Sequence, residues 1–219
     1  MKKIIIVGSG SNKKIIPKKK NYYISCNSSI LRFSKIKPQC LAISESIIGN
    51  KKKIFNSKIN IINLDKFATN IIRKNKINVL KRAKCETLLV YSNSTKKEIE
   101  RRILELEIKY KSLIILSHRK ILYKIINLLD FKKLKPIFKK LGFLKMLKLL
   151  ITGNLQKGIK PSVGVAALLW ANAKYNNTNI HLDGIGYGDR AHYPSDGRLK
   201  NFKFNLEHRE IDELIISSI

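Results

Sequence analysis

Ile4-Ile-Ile-Val7 is an unbroken run of β-branched residues that stops at Gly8, with a second glycine at Gly10. A run with no polar face has to be buried on both sides, which is the situation of a strand in a parallel sheet covered by helices above and below. Further short runs of the same character follow at Tyr22 to Ser25, Cys40 to Ile43, Ile59 to Leu64, Thr87 to Tyr91 and Leu113 to Leu116, and Asn179 to Asp183 reads as a last strand entering a turn at Gly184. Helical spacing intervenes. Residues 66 to 84 place Phe67, Ile71, Ile72 and Leu80 among Lys and Arg, and Ser94 suits the N-cap of a helix running to about Tyr110, with Ile99, Ile103, Leu104 and Ile108 at helical spacing. Strand alternating with helix is the sequence form of βαβ units. The expected fold class is therefore α/β, a three-layer sandwich around a mostly parallel sheet. A chain of 219 residues is long enough to bury one sizeable core, so residues 1–219 are expected to form a single domain.

Residues 119 to 150 differ in kind, because Ile, Leu and Phe are interleaved with Lys and almost no acid. Pro136 is expected to divide them into two helices. Phe131, Leu134, Ile137, Phe138, Leu141, Leu144 and Leu147 recur at a rough three-and-four spacing. Residues 119–160 thus read as a basic helical subdomain. Its apolar stripe faces the core, or rests on an anionic membrane surface, or closes over a site as a lid.

The net charge of +30, from 45 Lys and Arg against 15 Asp and Glu, invites a polyanion-binding reading. Its distribution argues against a specific nucleic-acid site. Residues 161–219 hold six basic and seven acidic residues, while the excess over residues 1–160 is spread, Lys-dominated and accompanied by abundant Ile and Asn. A basic surface still favours anionic partners. Cys26, Cys40 and Cys85 have no metal-ligand or CxxC spacing, so free thiols in a reducing compartment are expected. The first apolar run is too short for a signal peptide, and no uninterrupted run reaches the ~18 apolar residues needed to span a bilayer, so the expected location is cytoplasmic, at most peripheral to the inner membrane.

Chemistry concentrates in four places. Gly8-Ser9-Gly10-Ser11-Asn12 follows the first strand and allows backbone amides to approach an anionic or nucleotide ligand. Lys13 breaks the dinucleotide GxGxxG pattern, and no GxxxxGK is present. Asn27, after the second strand, could contact a base or ribose, or simply cap the next element. Lys160-Pro-Ser162-Val163-Gly164 opens an Ala-rich helix, and Leu182-Asp-Gly184-Ile-Gly-Tyr187 ends a strand where open α/β sheets bind ligands.

In that order, Gly8-Ser-Gly10-Ser11, Asn27, Tyr91-Ser92-Asn93, Ser162-Val-Gly164 and Leu182-Asp-Gly184-Ile-Gly186-Tyr187-Gly188 resemble the motifs of bacterial sialyltransferases of glycosyltransferase family 42. The resemblance spans nearly the whole chain and is strongest over residues 160–189. It implies a GT-A-like, Rossmann-like nucleotide-binding domain. It further implies CMP-sialic acid or a related nucleotide sugar as donor, a glycan or lipooligosaccharide acceptor, and metal-independent inverting transfer without a cofactor. Donor contacts would come from Gly8, Ser9, Gly10, Ser11, Asn27, Lys160, Ser162, Val163, Gly164 and Gly184. No Asp-x-Asp pair is present, and a CMP leaving group, with one phosphate, could be stabilised by tyrosine hydroxyls and a cation. Tyr187 or Tyr193 would supply the hydroxyl, and Lys160 or Arg190 the cation. The family's general base is a His near the start of a late helix. Here it is His208, oriented by Glu207 or Asp212, or else His192, or neither. Aligned by its apolar positions, the helix would carry His208 a turn or more inside it. Two other readings stay open. One is a non-catalytic nucleotide- or polyanion-binding α/β module. The other is a pyrophosphokinase-like enzyme, for which the acidic metal-binding pair is missing.

Overall fold

A computed structural model describes residues 3–8, 14–33, 38–48, 84–105, 107–155, 159–175, 179–185 and 208–219. Its centre is a sheet of β1 (Ile4–Val7), β2 (Tyr22–Cys26), β3 (Cys40–Ser44), β4 (Lys84–Tyr91), β5 (Lys109–Leu116) and β6 (Ile180–Asp183). The strand order is β5-β4-β3-β2-β1-β6, and every pairing is parallel. The chain therefore builds outward from β1 to β5 and returns to lay β6 on the other side of β1, with Ile4 paired to both Tyr22 and Ile180. That return makes β1/β6 the switch point of the sheet, where the carboxyl ends of two strands diverge.

Alternation along the strands explains why both faces are covered. Cys40 and Ala42 of β3 point into one core cluster while Leu41 and Ile43 point into another, and in β4 Leu89 and Tyr91 oppose Leu88 and Val90 in the same way. The first core receives the helix α6 (Val163–Tyr175), the second receives α2 (Lys96–Glu105). The three-layer α/β arrangement follows. In α6 every residue from Gly164 to Ala171 is buried, and its small residues let it lie close across the sheet. The last helix, α7 (Arg209–Ile216), adds Ile211 and Ile215 to the same core.

Strand positions match the expected runs, with β4 and β5 starting earlier than Thr87 and Leu113. The expected strand at 59–64 and the expected helix at 66–84 lie outside the described residues, except Lys84, which opens β4. The helix after β4 differs at both ends from the expectation. Thr95, not Ser94, accepts from the Glu98 amide at 3.3 Å, and Glu107 at φ 57° turns the chain so that Tyr110 belongs to β5. Ser94 is diverted because its hydroxyl bonds Glu45, the first residue of the short helix α1 (Glu45–Ile48).

The basic segment is also corrected. It forms three helices, α3 (His118–Leu128), α4 (Phe131–Leu141) and α5 (Phe143–Thr152), and Pro136 lies within α4 rather than between helices. Proline at the sixth position loses one amide bond, whereas the actual breaks fall where a better stop exists: Asp130 at the N-cap of α4, and Gly142 at φ 76°, a conformation that favours glycine. The supposed single apolar stripe is divided as well. Leu134 and Ile137 enter the core, but Leu144 and Leu147 face outward. The three cysteines are buried free thiols, with burial pushing Cys26 up to about 12 and Cys85 to about 11. Among the described residues no helix is long and apolar enough to cross a membrane.

Candidate functional site

All six strands deliver their carboxyl ends to one edge, so Gly8, Asn27, Glu45, Asn93, His118 and Gly184 lie along it. Two clusters occupy this edge.

The first sits at the switch point. A Cβ on Gly8 would stand 2.2 Å from the Gly184 carbonyl oxygen and 2.6 Å from Ile185 Cγ1, and one on Gly164 would stand 2.8 Å from Ile185 Cδ1. Both glycines therefore allow Gly184-Ile185 to wedge between β1 and the start of α6. This packing by itself requires glycine at both positions. Beneath the wedge lies Arg32, in the 3-10 helix Asn27–Arg32, with a side chain shut off from solvent. Its Nη1 donates to the Gly8 carbonyl at 2.8 Å and the Asp183 carbonyl at 3.1 Å, and its Nη2 meets Asp183 Oδ1 at 2.6 Å. Nothing in the sequence around Arg32 distinguishes it from a surface arginine; only the sheet order shows that it joins β1 to β6. Asn27 adopts φ 52°, tolerable for asparagine, and its Oδ1 accepts from the Ser44 amide at 3.3 Å. The N-cap of the 3-10 helix is Cys26, so Asn27 does not cap the next element but ties the end of β2 to the end of β3.

The second cluster lies over the ends of β3, β4 and β5. Ser162 accepts from the Val165 amide at 3.4 Å and so caps α6, while its own amide donates to Asp212 Oδ1 at 2.9 Å. His208 is the N-cap residue of α7, not an interior one, because regular helix begins only at Arg209. Its Nδ1 bonds the carbonyl of Lys160. A carbonyl can only accept, so Nδ1 carries a proton, and in the neutral form of the ring Nε2 holds the lone pair. Turn 160–162 and the start of α7 are thus locked by two bonds, and Lys160, Ser162, His208 and Asp212 are brought together.

Lys160 reaches over the Tyr91 ring with Nζ 5.2 Å from its centroid, and the Tyr91 and His118 rings lie 5.0 Å apart. Burial lowers Lys160, opposed by Glu45. Burial, then the Lys160 charge, press His118 down to about 4, so this imidazole is neutral at ordinary pH. Burial raises Tyr91, with Asp212 adding to the shift. Burial also raises Asp212, to about 6, against the Ser162 bonds and the attraction of His208. Tyr91 Oη and His118 Nδ1 are buried with no hydrogen-bond partner among the described residues. Glu45 behaves differently: burial works against its charge, yet bonds from Ser92, Ser94 and Arg102 hold it below the usual carboxylate range. His118 and Glu45 were not singled out from the sequence. The only available signal was their place directly after a strand.

Val163 stands at the start of α6, partly buried against the core. Ser9, Gly10, Ser11, Tyr187, Arg190, His192, Tyr193 and Glu207 lie outside the described residues. Among the described residues no three His, Cys, Asp or Glu stand close enough to hold a metal. A groove of about 590 Å³ between α3 and α6, lined by Arg119, Lys120, Tyr123, Lys124 and Asn172, includes none of the site residues expected from the sequence.

Fold and site together define a parallel α/β sandwich with a polar, partly buried cluster at the carboxyl edge of its sheet. Comparison with protein-family models, curated proteins and solved structures gives no significant match.

Proposed function

We propose that this protein is a glycosyltransferase of the sialyltransferase type, with a GT-A-like domain, that moves sialic acid from a CMP-sugar to a hydroxyl of a glycan or lipooligosaccharide. The observation that carries the reading is His208 at the N-cap of α7, its Nδ1 proton held by the Lys160 carbonyl. A neutral imidazole with a fixed tautomer offers Nε2 to an acceptor hydroxyl as general base. The hydroxyl oxygen attacks the anomeric carbon as its proton passes to Nε2, the bond to the CMP phosphate breaks, and the configuration inverts. With Arg190 as the alternative, Lys160 would offset charge on the departing phosphate. Its partial burial strengthens that interaction, since little water screens it. Gly8, Ser162 and Gly164 border the same edge and would line the donor site, with Ser9, Gly10, Ser11, Tyr187 and Tyr193 completing it.

Hydrolysis of a panel of CMP-, UDP- and GDP-sugars, with and without EDTA, tests the reading. Turnover confined to CMP-sugars and indifferent to EDTA is expected. Turnover of a diphosphate sugar, or loss of activity with EDTA, would refute it. The +30 charge favours the second reading, a non-catalytic polyanion binder. That reading requires RNA affinity falling steeply with salt and no preference for CMP.

A further inference from the structure

Helix α5 carries an apolar face that the other described residues leave uncovered. Phe143 is 71% exposed, Leu144 79%, Leu147 42% and Ile151 68%. At 3.6 residues per turn these four fall within an arc of about 100°, and Leu149, which is buried, points to the opposite side. One side of the helix is thus anchored in the core and the other is apolar and open. Lys148 is exposed about 40° beyond one margin of that arc, and Lys145 is exposed further round the helix. From residue 131 to residue 152 the sequence holds seven Lys and no Asp or Glu.

This combination, rather than exposed leucines alone, decides the partner. A second protein surface would be met by mixed charge around an apolar patch, whereas an anionic lipid layer asks for an apolar stripe with cations beside it and no acids. The helix is about 15 Å long, too short to span a bilayer and suited to lie in its surface. Its far end is tied to the carboxyl edge of the sheet: Asn154 pairs with Asn93 after β4, and Gly153 packs on Arg119 at the start of α3. We propose that α5 docks the protein on an anionic phospholipid surface, inserting Phe143, Leu144, Leu147 and Ile151 among the headgroups and holding the carboxyl edge beside the membrane. The proposal does not depend on the transferase reading.

The test is co-sedimentation of the full chain with vesicles of phosphatidylcholine alone or with one quarter phosphatidylglycerol. Binding to the anionic vesicles at least tenfold tighter than to the neutral ones is expected. L144E/I151E should lower it at least tenfold while leaving the melting temperature unchanged, since both side chains are exposed. K96E/K97E on α2 lowers the net charge by four, twice the change that L144E/I151E makes, but away from the arc, and should change binding less than threefold. Equal binding by L144E/I151E and wild type, or an equal loss in K96E/K97E, would overturn the proposal. So would a concentration-dependent dimer, abolished by L144E/I151E, in a protein that ignores the vesicles.

Discussion

Asp212 is a carboxyl held where ionisation is costly. It is only 8% exposed, it accepts the Ser162 amide at 2.9 Å, and burial pushes it from 3.8 up to about 6. A folded-state pKa above the unfolded value means that the native chain binds this proton more tightly, so stability is lost as pH rises from about 4 to about 6 and then levels off. At about 1.4 kcal/mol per tenfold change in proton affinity, the ionised group costs the native state about 3 kcal/mol at pH 7. Asp212→Asn keeps the acceptor oxygen and removes the charge. The variant should therefore be more stable by up to about 3 kcal/mol at pH 7, worth about 6–12 °C for a chain of this size, and by about half of that at pH 5. Urea unfolding at pH 5, 6, 7 and 8 reads both numbers. A variant no more stable than wild type at pH 7, or a gap that stays constant down to pH 5, would show that the carboxylate is compensated in the folded state.

Arg32→Ala should destabilise by about 3–5 kcal/mol in the same assay, because it strands Asp183 and two carbonyls around a buried gap. Pro136→Ala should stabilise by up to about 3 kcal/mol, since it restores an amide donor inside α4; a neutral result on the melting temperature would mean that the helix has adapted to the proline. His118 should titrate near pH 4 by NMR, well below a usual imidazole. Its folded-state pKa is depressed, so it withdraws stability as pH falls from about 6.5 toward 4. A midpoint above 6 would contradict the burial of its ring.

The fold was legible where burial writes itself into short runs. Ile4 to Val7, Cys40 to Ile43 and Thr87 to Tyr91 have no polar face, and each is a central strand. Helix ends were less legible, because they turn on competition for single side chains: Ser94 could cap, but Glu45, forty-nine residues earlier, takes its hydroxyl. Pro136 misled for the opposite reason, a breaker outweighed by Gly142 and Asp130 close by. Of the candidate site, Lys160, Ser162 and His208 stand out by motif order, and the bonds of Ser162 to Asp212 and of His208 to Lys160 are a product of packing α7 beside α6. Arg32, Glu45 and His118 were not, since a charge or imidazole buried by distant elements looks like any surface residue in a Lys-rich sequence. The wedge of Ile185, which also requires glycine at Gly8 and Gly164, leaves no mark in the motifs that contain them.

The most direct measurement compares wild type and His208→Ala in two assays, calorimetric binding of CMP and transfer from CMP-sialic acid to a lipooligosaccharide acceptor. Loss of a general base costs about 10²–10⁴-fold in turnover and leaves nucleotide affinity within about threefold. Wild-type transfer, with turnover of the variant reduced by that factor and CMP still bound, is the predicted result. Turnover within tenfold of wild type would remove His208 from the chemistry, and absence of CMP binding by the wild-type protein would contradict the transferase account itself.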